Sequence, residues 1–112
     1  MSIVPMKKDD PFVLQESRGV VVADFYADWC GPCRSMAQVL REVSETTPET
    51  VICAINVDER PEIAKEYGVT SIPTLLIFRD GAPACRLVGL QSRATVTDAI
   101  ARAKEGCARG SF

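Results

Sequence analysis

The stretch that most constrains the fold is Val20-Val21-Val22-Ala23-Asp24-Phe25-Tyr26-Ala27, which is apolar at odd and even positions alike. A strand turns successive side chains to opposite faces, so such a run belongs in the middle of a sheet covered on both sides. Helices are the natural cover. Met36, Val39, Leu40 and Val43 recur at helical spacing just downstream. Val51 to Val57 is a second apolar, β-branched run, and a helix between two neighbouring strands of this kind forms a right-handed βαβ unit.

The remaining elements follow from local signals. Ile3 to Met6 suits a short edge strand, with Pro5 lacking a donor. Asp9-Asp10-Pro11 opens a helix that should run through Phe12, Val13 and Leu14 and stop near Gly19. The helix after the central strand should span about Pro32 to Thr46 and end before Pro48. Asp58 is positioned to cap a short helix, Pro61 to Tyr67, that Gly68 ends. Thr74 to Phe78 reads as a strand, Arg79-Asp80-Gly81 as a turn, and Ala84 to Leu90 as the hairpin partner, with Pro83 at its entrance. Ser92 caps a last helix that carries Val96, Ala99, Ile100 and Ala103 on one face and ends at Gly106. Residues 107–112 form a polar tail expected to be mobile. A chain of 112 residues, 46% apolar and 25% charged, is expected to be one domain over residues 1–112. Its class is α/β, a central mixed β-sheet flanked by helices on both faces.

Charge and cysteine usage narrow the chemistry. A net charge of −2 without a basic stripe argues against nucleic-acid binding. Met1 to Asp10 contains no apolar segment of the secretory kind, so neither a signal nor a membrane span is expected, and the location expected is cytoplasmic. The five cysteines are Cys30, Cys33, Cys53, Cys85 and Cys107, an odd number with one close pair, which fits a reducing compartment better than a disulfide framework. There is no histidine. Cys–His hydrolysis and His-ligated metal sites are therefore excluded, and half of a zinc site is disfavoured because no second close pair exists. What remains is Cys30-Gly31-Pro32-Cys33 at a strand-to-helix junction. The first N–H groups of a helix lack intrahelical partners and carry partial positive charge, which stabilises a thiolate. The residues point to dithiol–disulfide exchange.

From about Asp10 to Gly106 the sequence resembles the thioredoxin family. The carrying stretches are Asp24-Phe25-Tyr26-Ala27-Asp28-Trp29-Cys30-Gly31-Pro32-Cys33, Asn56-Val57-Asp58, Tyr67-Gly68-Val69, Ser71-Ile72-Pro73-Thr74-Leu75, Asp80-Gly81 and Val88-Gly89. The Gly-Pro between the cysteines resembles the reducing members of that family. The resemblance implies the thioredoxin fold and a protein disulfide reductase with a redox-active Cys30–Cys33 disulfide. It also implies a monomer without bound cofactor, acting in electron transport and cell redox homeostasis. Its electrons would come from NADPH through a flavoprotein thioredoxin reductase, and its clients would be disulfide-bonded proteins. The rival reading from another class is a redox-sensing or binding subunit that uses the same surface to hold a partner.

Within that reading Cys30, at the exposed N-terminal edge of the helix, is the nucleophile, and Cys33 resolves the mixed disulfide. Gly31 and Pro32 complete the motif; Pro32 suits a first helical turn, where its missing N–H has no partner anyway. Asp24 is either a solvated acid near the strand's end or a buried one with a raised pKa that exchanges a proton with Cys33, the role the resemblance implies. Pro73 is either an ordinary trans proline opening a strand or, as the resemblance implies, a cis proline facing the dithiol. In the second case Trp29, Gly31, Pro32, Ile72, Pro73 and Gly89 form a shallow substrate-binding platform, and the Ile72 backbone can pair with an extended client segment. Trp29 is otherwise a core residue, and Tyr26 stands where many relatives have tryptophan. Two departures from the family pattern stand out. Ala54 occupies the place of a lysine near Asp24, so desolvation should dominate that acid. Gln38 replaces a helix-kinking proline. Cys53 is expected to be a buried hydrophobe, Cys85 is ambiguous, and Cys107 is the candidate exposed thiol.

Overall fold

The computed structural model describes residues 4–6, 14 and 18–105. Its elements run β1 (Val4–Met6), β2 (Val20–Tyr26), α1 (Gly31–Thr46), β3 (Val51–Asn56), α2 (Pro61–Glu66), β4 (Thr74–Arg79), β5 (Ala82–Val88) and α3 (Arg93–Lys104). The five strands form one sheet in the order β1-β3-β2-β4-β5. The long apolar run is therefore the central strand. β2 pairs in parallel with β3, which pairs in parallel with β1, and β2 and β5 each pair antiparallel with β4.

The two-sided pattern of β2 has a direct consequence. Val20 and Val22 face one layer with Ile52, Leu75 and Ile77, where α1 contributes Met36, Leu40 and Val43 and α3 contributes Val96, Ala99, Ile100 and Ala103. Val21, Ala23 and Phe25 face the other layer with Cys53, Ile55, Leu76 and Phe78, under Ile63 and Ala64 of α2 and beside Leu14. Helices thus cover both faces. Each large side chain removed from water in these layers contributes about 1.5–3 kcal/mol.

Local chemistry sets the boundaries. Thr47 ends α1, its backbone N–H and hydroxyl both donating to the Val43 carbonyl at 3.0 and 2.8 Å. Gln38, exposed, lies within an unbroken α1. Ser92 caps α3 as expected, its Oγ accepting the Thr95 N–H at 3.1 Å. Asp80 and Gly81 both have positive φ, 49° and 84°, the conformation a tight two-residue hairpin requires. Asp80 also ties that turn to the start of β2, accepting the Gly19 N–H at 2.8 Å.

Two expectations need correction. β5 starts at Ala82 and ends at Val88, so Pro83 lies inside the strand. It is tolerated because β5 is an edge strand and its register with β4 shifts between Ile77 and Phe78. Asp58 does not cap α2; the N-cap is Arg60, without a side-chain cap bond. The Asp58 carboxylate is engaged by Trp29 instead. The expected helix start at Asp9-Asp10-Pro11 with Phe12 and Val13, the stop at Gly106, and the tail with Cys107 lie outside the described residues.

Candidate active site

The junction between β2 and α1 makes the two cysteines unlike one another. Cys30 is the N-cap of α1, with extended backbone, and its Sγ accepts the Cys33 N–H at 3.2 Å. Cys33 lies inside the first turn. No acidic residue occupies that turn, so none of the turn's own side chains offsets the positive end of the helix. The sulfurs are joined as a disulfide, with Cα atoms 5.3 Å apart. The Cys30 backbone N–H donates to the Ala27 carbonyl at 3.2 Å, closing the loop that carries Asp28 and Trp29. The Arg34 guanidinium braces the same loop through the Asp28 carbonyl at 3.0 Å.

The expected exposure of Cys30 is not met in this oxidised state. Its relative exposure is 6%, against 4% for Cys33, because Ala27, Tyr26, Val57 and Ile72 pack around the pair. The rim is what faces solvent. Gly31 and Pro32 are exposed, and Trp29 is 69% exposed, which removes the core reading of that residue. Trp29 is held in place by its indole N–H, which donates to Asp58 at 2.9 Å.

Chain segments distant in sequence complete the rim. The Ile72–Pro73 bond is cis, and Ile72 packs against Ala27, Cys30 and Cys33. Pro73 is buried rather than part of the open surface, and its carbonyl accepts the Gly89 N–H at 2.8 Å. Gly89 sits at φ +87°, a backbone that side chains disfavour. On either side of it Val88 and Leu90 are 55% and 53% exposed. Sequence reasoning missed both as site residues. The available signal was a pair of large apolar residues flanking a glycine where an edge strand ends.

Asp24 is buried, at 3% exposure, which sets aside the solvated reading. It shares the parity of Val20 and Val22 on β2 and so faces the α1 layer. Burial pushes its carboxyl up from 3.8 to about 7. Its Oδ1 has no hydrogen-bond partner among the described residues, and the neighbour in register on β3 is Ala54. The small side chain leaves a cleft of about 810 Å³ whose lining includes Asp24, Cys33, Ala37, Arg41 and Ala54. Asp24 and Cys33 therefore open onto one space. Cys53 and Cys85 are buried.

Comparison with known proteins agrees with this geometry. The thioredoxin family model matches residues 4–102, from the first residue of β1 well into α3. A thioredoxin from Chlamydia pneumoniae is 38% identical over 100 residues, covering 89% of this chain and 95% of that protein. One from Bacillus subtilis is 42% identical over 93 residues, covering 82% and 89%. Among solved structures, a mutant thioredoxin from Halobacterium salinarum superposes with a TM-score of 0.81 at 34% identity, over 96% of this chain and 92% of the other. Agreement at that identity over nearly the full length of each partner settles the lineage: this chain belongs to the thioredoxin family of thiol–disulfide oxidoreductases.

Proposed function

We propose that the chain is a monomeric cytoplasmic protein disulfide reductase, recharged with NADPH electrons by a flavoprotein thioredoxin reductase. The observation that carries this reading is the N–H of Cys33 directed at Cys30 Sγ at the head of α1. The same donor stabilises negative charge on that sulfur once the disulfide is reduced. The Cys30 thiolate attacks one sulfur of a client disulfide, the client's S–S bond breaks, and the other client sulfur leaves as a thiolate. Cys33 gives its proton to Asp24 across their shared cleft and attacks Cys30 Sγ. The mixed disulfide breaks, the second client thiolate is released, and Cys30–Cys33 is oxidised. Two electrons pass to the client, whose thiolates take up protons.

Trp29, Gly31 and Pro32 with Ile72, Gly89, Val88 and Leu90 supply an apolar contact surface, and Pro73 supports it from beneath. The Ile72 backbone pairs with an extended client segment. No helix among the described residues is long and apolar enough to cross a membrane. The deciding assay is insulin reduction driven by NADPH and a thioredoxin reductase. Sustained NADPH consumption with insulin precipitation is expected; neither occurring overturns the reading. Trp29→Ala should raise KM for insulin and leave reduction of a small aromatic disulfide nearly unchanged, because only the protein client needs the platform.

A further inference from the structure

The cleft behind the cysteine pair has features that proton exchange does not require. Its depth holds a carboxylate, Asp24, that is 3% exposed and has an oxygen without any partner among the described residues. A buried polar atom left unpaired is costly, and more so when charged. The walls are small or apolar: Tyr26, Ala27, Ala37 and Ala54, with Cys33 in the same lining. At about 810 Å³ the space is large enough for a small organic ligand.

The rim carries the remaining charges, Asp28, Arg34, Arg41 and Glu45. Arg34 is turned to the Asp28 carbonyl and Arg41 to Gln38 Oε1, each at 3.0 Å. Neither reaches the acid. With Asp24 ionised the lining carries three carboxylates against two guanidinium groups. A bare metal ion is a poor occupant, since the described residues contain no group of three or more side chains able to hold one. An ion that brings its own apolar stem suits the walls better. Trp29, Cys30, Ile72 and Gly89 do not line the cleft, so a client docked on the rim of the cysteine pair does not supply the group.

We infer that the cleft over Ala54 is a binding site for a small primary alkylammonium ion, its ammonium hydrogen-bonded to Asp24 Oδ1 and its stem against Ala27, Ala37 and Ala54. Such a ligand acts on the buried acid from behind the client surface. Linkage makes the effect reciprocal. The ion prefers ionised Asp24, so binding strengthens as pH rises and bound ion lowers the pH at which Asp24 titrates.

The test uses the oxidised full-length chain and reads the Asp24 carboxyl by carbon NMR across pH, in n-butylammonium chloride and in potassium chloride at equal ionic strength. It measures binding alone, so its outcome is separate from that of the insulin assay. Butylammonium should lower the titration midpoint saturably by about one pH unit or more, and potassium should not. Ala54→Leu or Ala37→Leu, filling the cleft from either wall, should abolish the difference. Equal midpoints in the two salts overturn the inference, as does a shift that survives in both filled variants. Sodium butyrate moving the midpoint while butylammonium does not would also overturn it, marking the rim arginines as an anion site.

Discussion

Cys30→Ser loses insulin reduction down to the uncatalysed background, a fall of roughly 10³-fold or more, as loss of a nucleophile produces in other enzymes. Cys33→Ser fails at a different stage. The reason lies in the asymmetry of the junction: Cys30 is the N-cap whose sulfur receives a backbone N–H, and Cys33 is the donor of that N–H, buried inside the turn. In the proposed cycle Cys30 is the thiolate stabilised at the helix end, and Cys33 is the thiol that displaces a client already attached. Cys33→Ser should therefore complete the first exchange and stop, accumulating a covalent adduct of chain and client that mass spectrometry detects. Reducing agent should release it. Full activity in Cys30→Ser would reject the nucleophile assignment. Equal adduct yields from both variants would reject the division of roles.

Asp24→Asn should stabilise the oxidised protein at alkaline pH and slow exchange. In the unfolded chain this carboxyl titrates at 3.8, and burial raises it to about 7 in the fold. Between those values the folded protein holds a proton that the unfolded chain has released, so stability falls as pH rises through the window and levels off above it. At about 1.36 kcal/mol for each pH unit, the full loss is about 4 kcal/mol. Asparagine keeps the volume without the charge, at the cost of an amide that also wants partners. The variant should therefore gain about 2–4 kcal/mol over the parent at pH 8.5 in urea unfolding and almost nothing near pH 3.5. In the proposed cycle Asp24 accepts the Cys33 proton. The parent's exchange rate should then show an inflection near pH 7 that the variant lacks, with the rate lowered roughly 10²-fold. A stability difference that does not change with pH would show that Asp24 is not held neutral by burial. An unaltered rate profile would confine the residue to a structural role.

Much of the architecture was legible because it is written in short-range patterns. The two-sided apolar run of β2, the helical spacing of Met36, Leu40 and Val43, the Asp80-Gly81 turn and the Ser92 cap each depend on residues within a few positions of one another. All four are found as read. The cysteine pair at the mouth of α1 was legible for the same reason. Asp58 was misread because its local context, an acid a few residues before a proline-led helix, is that of a cap. Nothing nearby announces that Trp29, from another loop, takes its carboxylate.

The sequence by itself determined which segments become strands and helices, which faces they bury, and where the two thiols sit on the chain, since periodicity and end signals are local properties. Only the tertiary structure decided the surroundings of those thiols. It alone shows that Ile72 packs on the pair, that Gly89 bonds to Pro73 between two exposed apolar neighbours, and that Asp24 meets Ala54 across an open cleft. These features arise where segments far apart in sequence come together. The burial of a charge and the shape of a surface are set by every segment that meets there, and no local pattern contains that information.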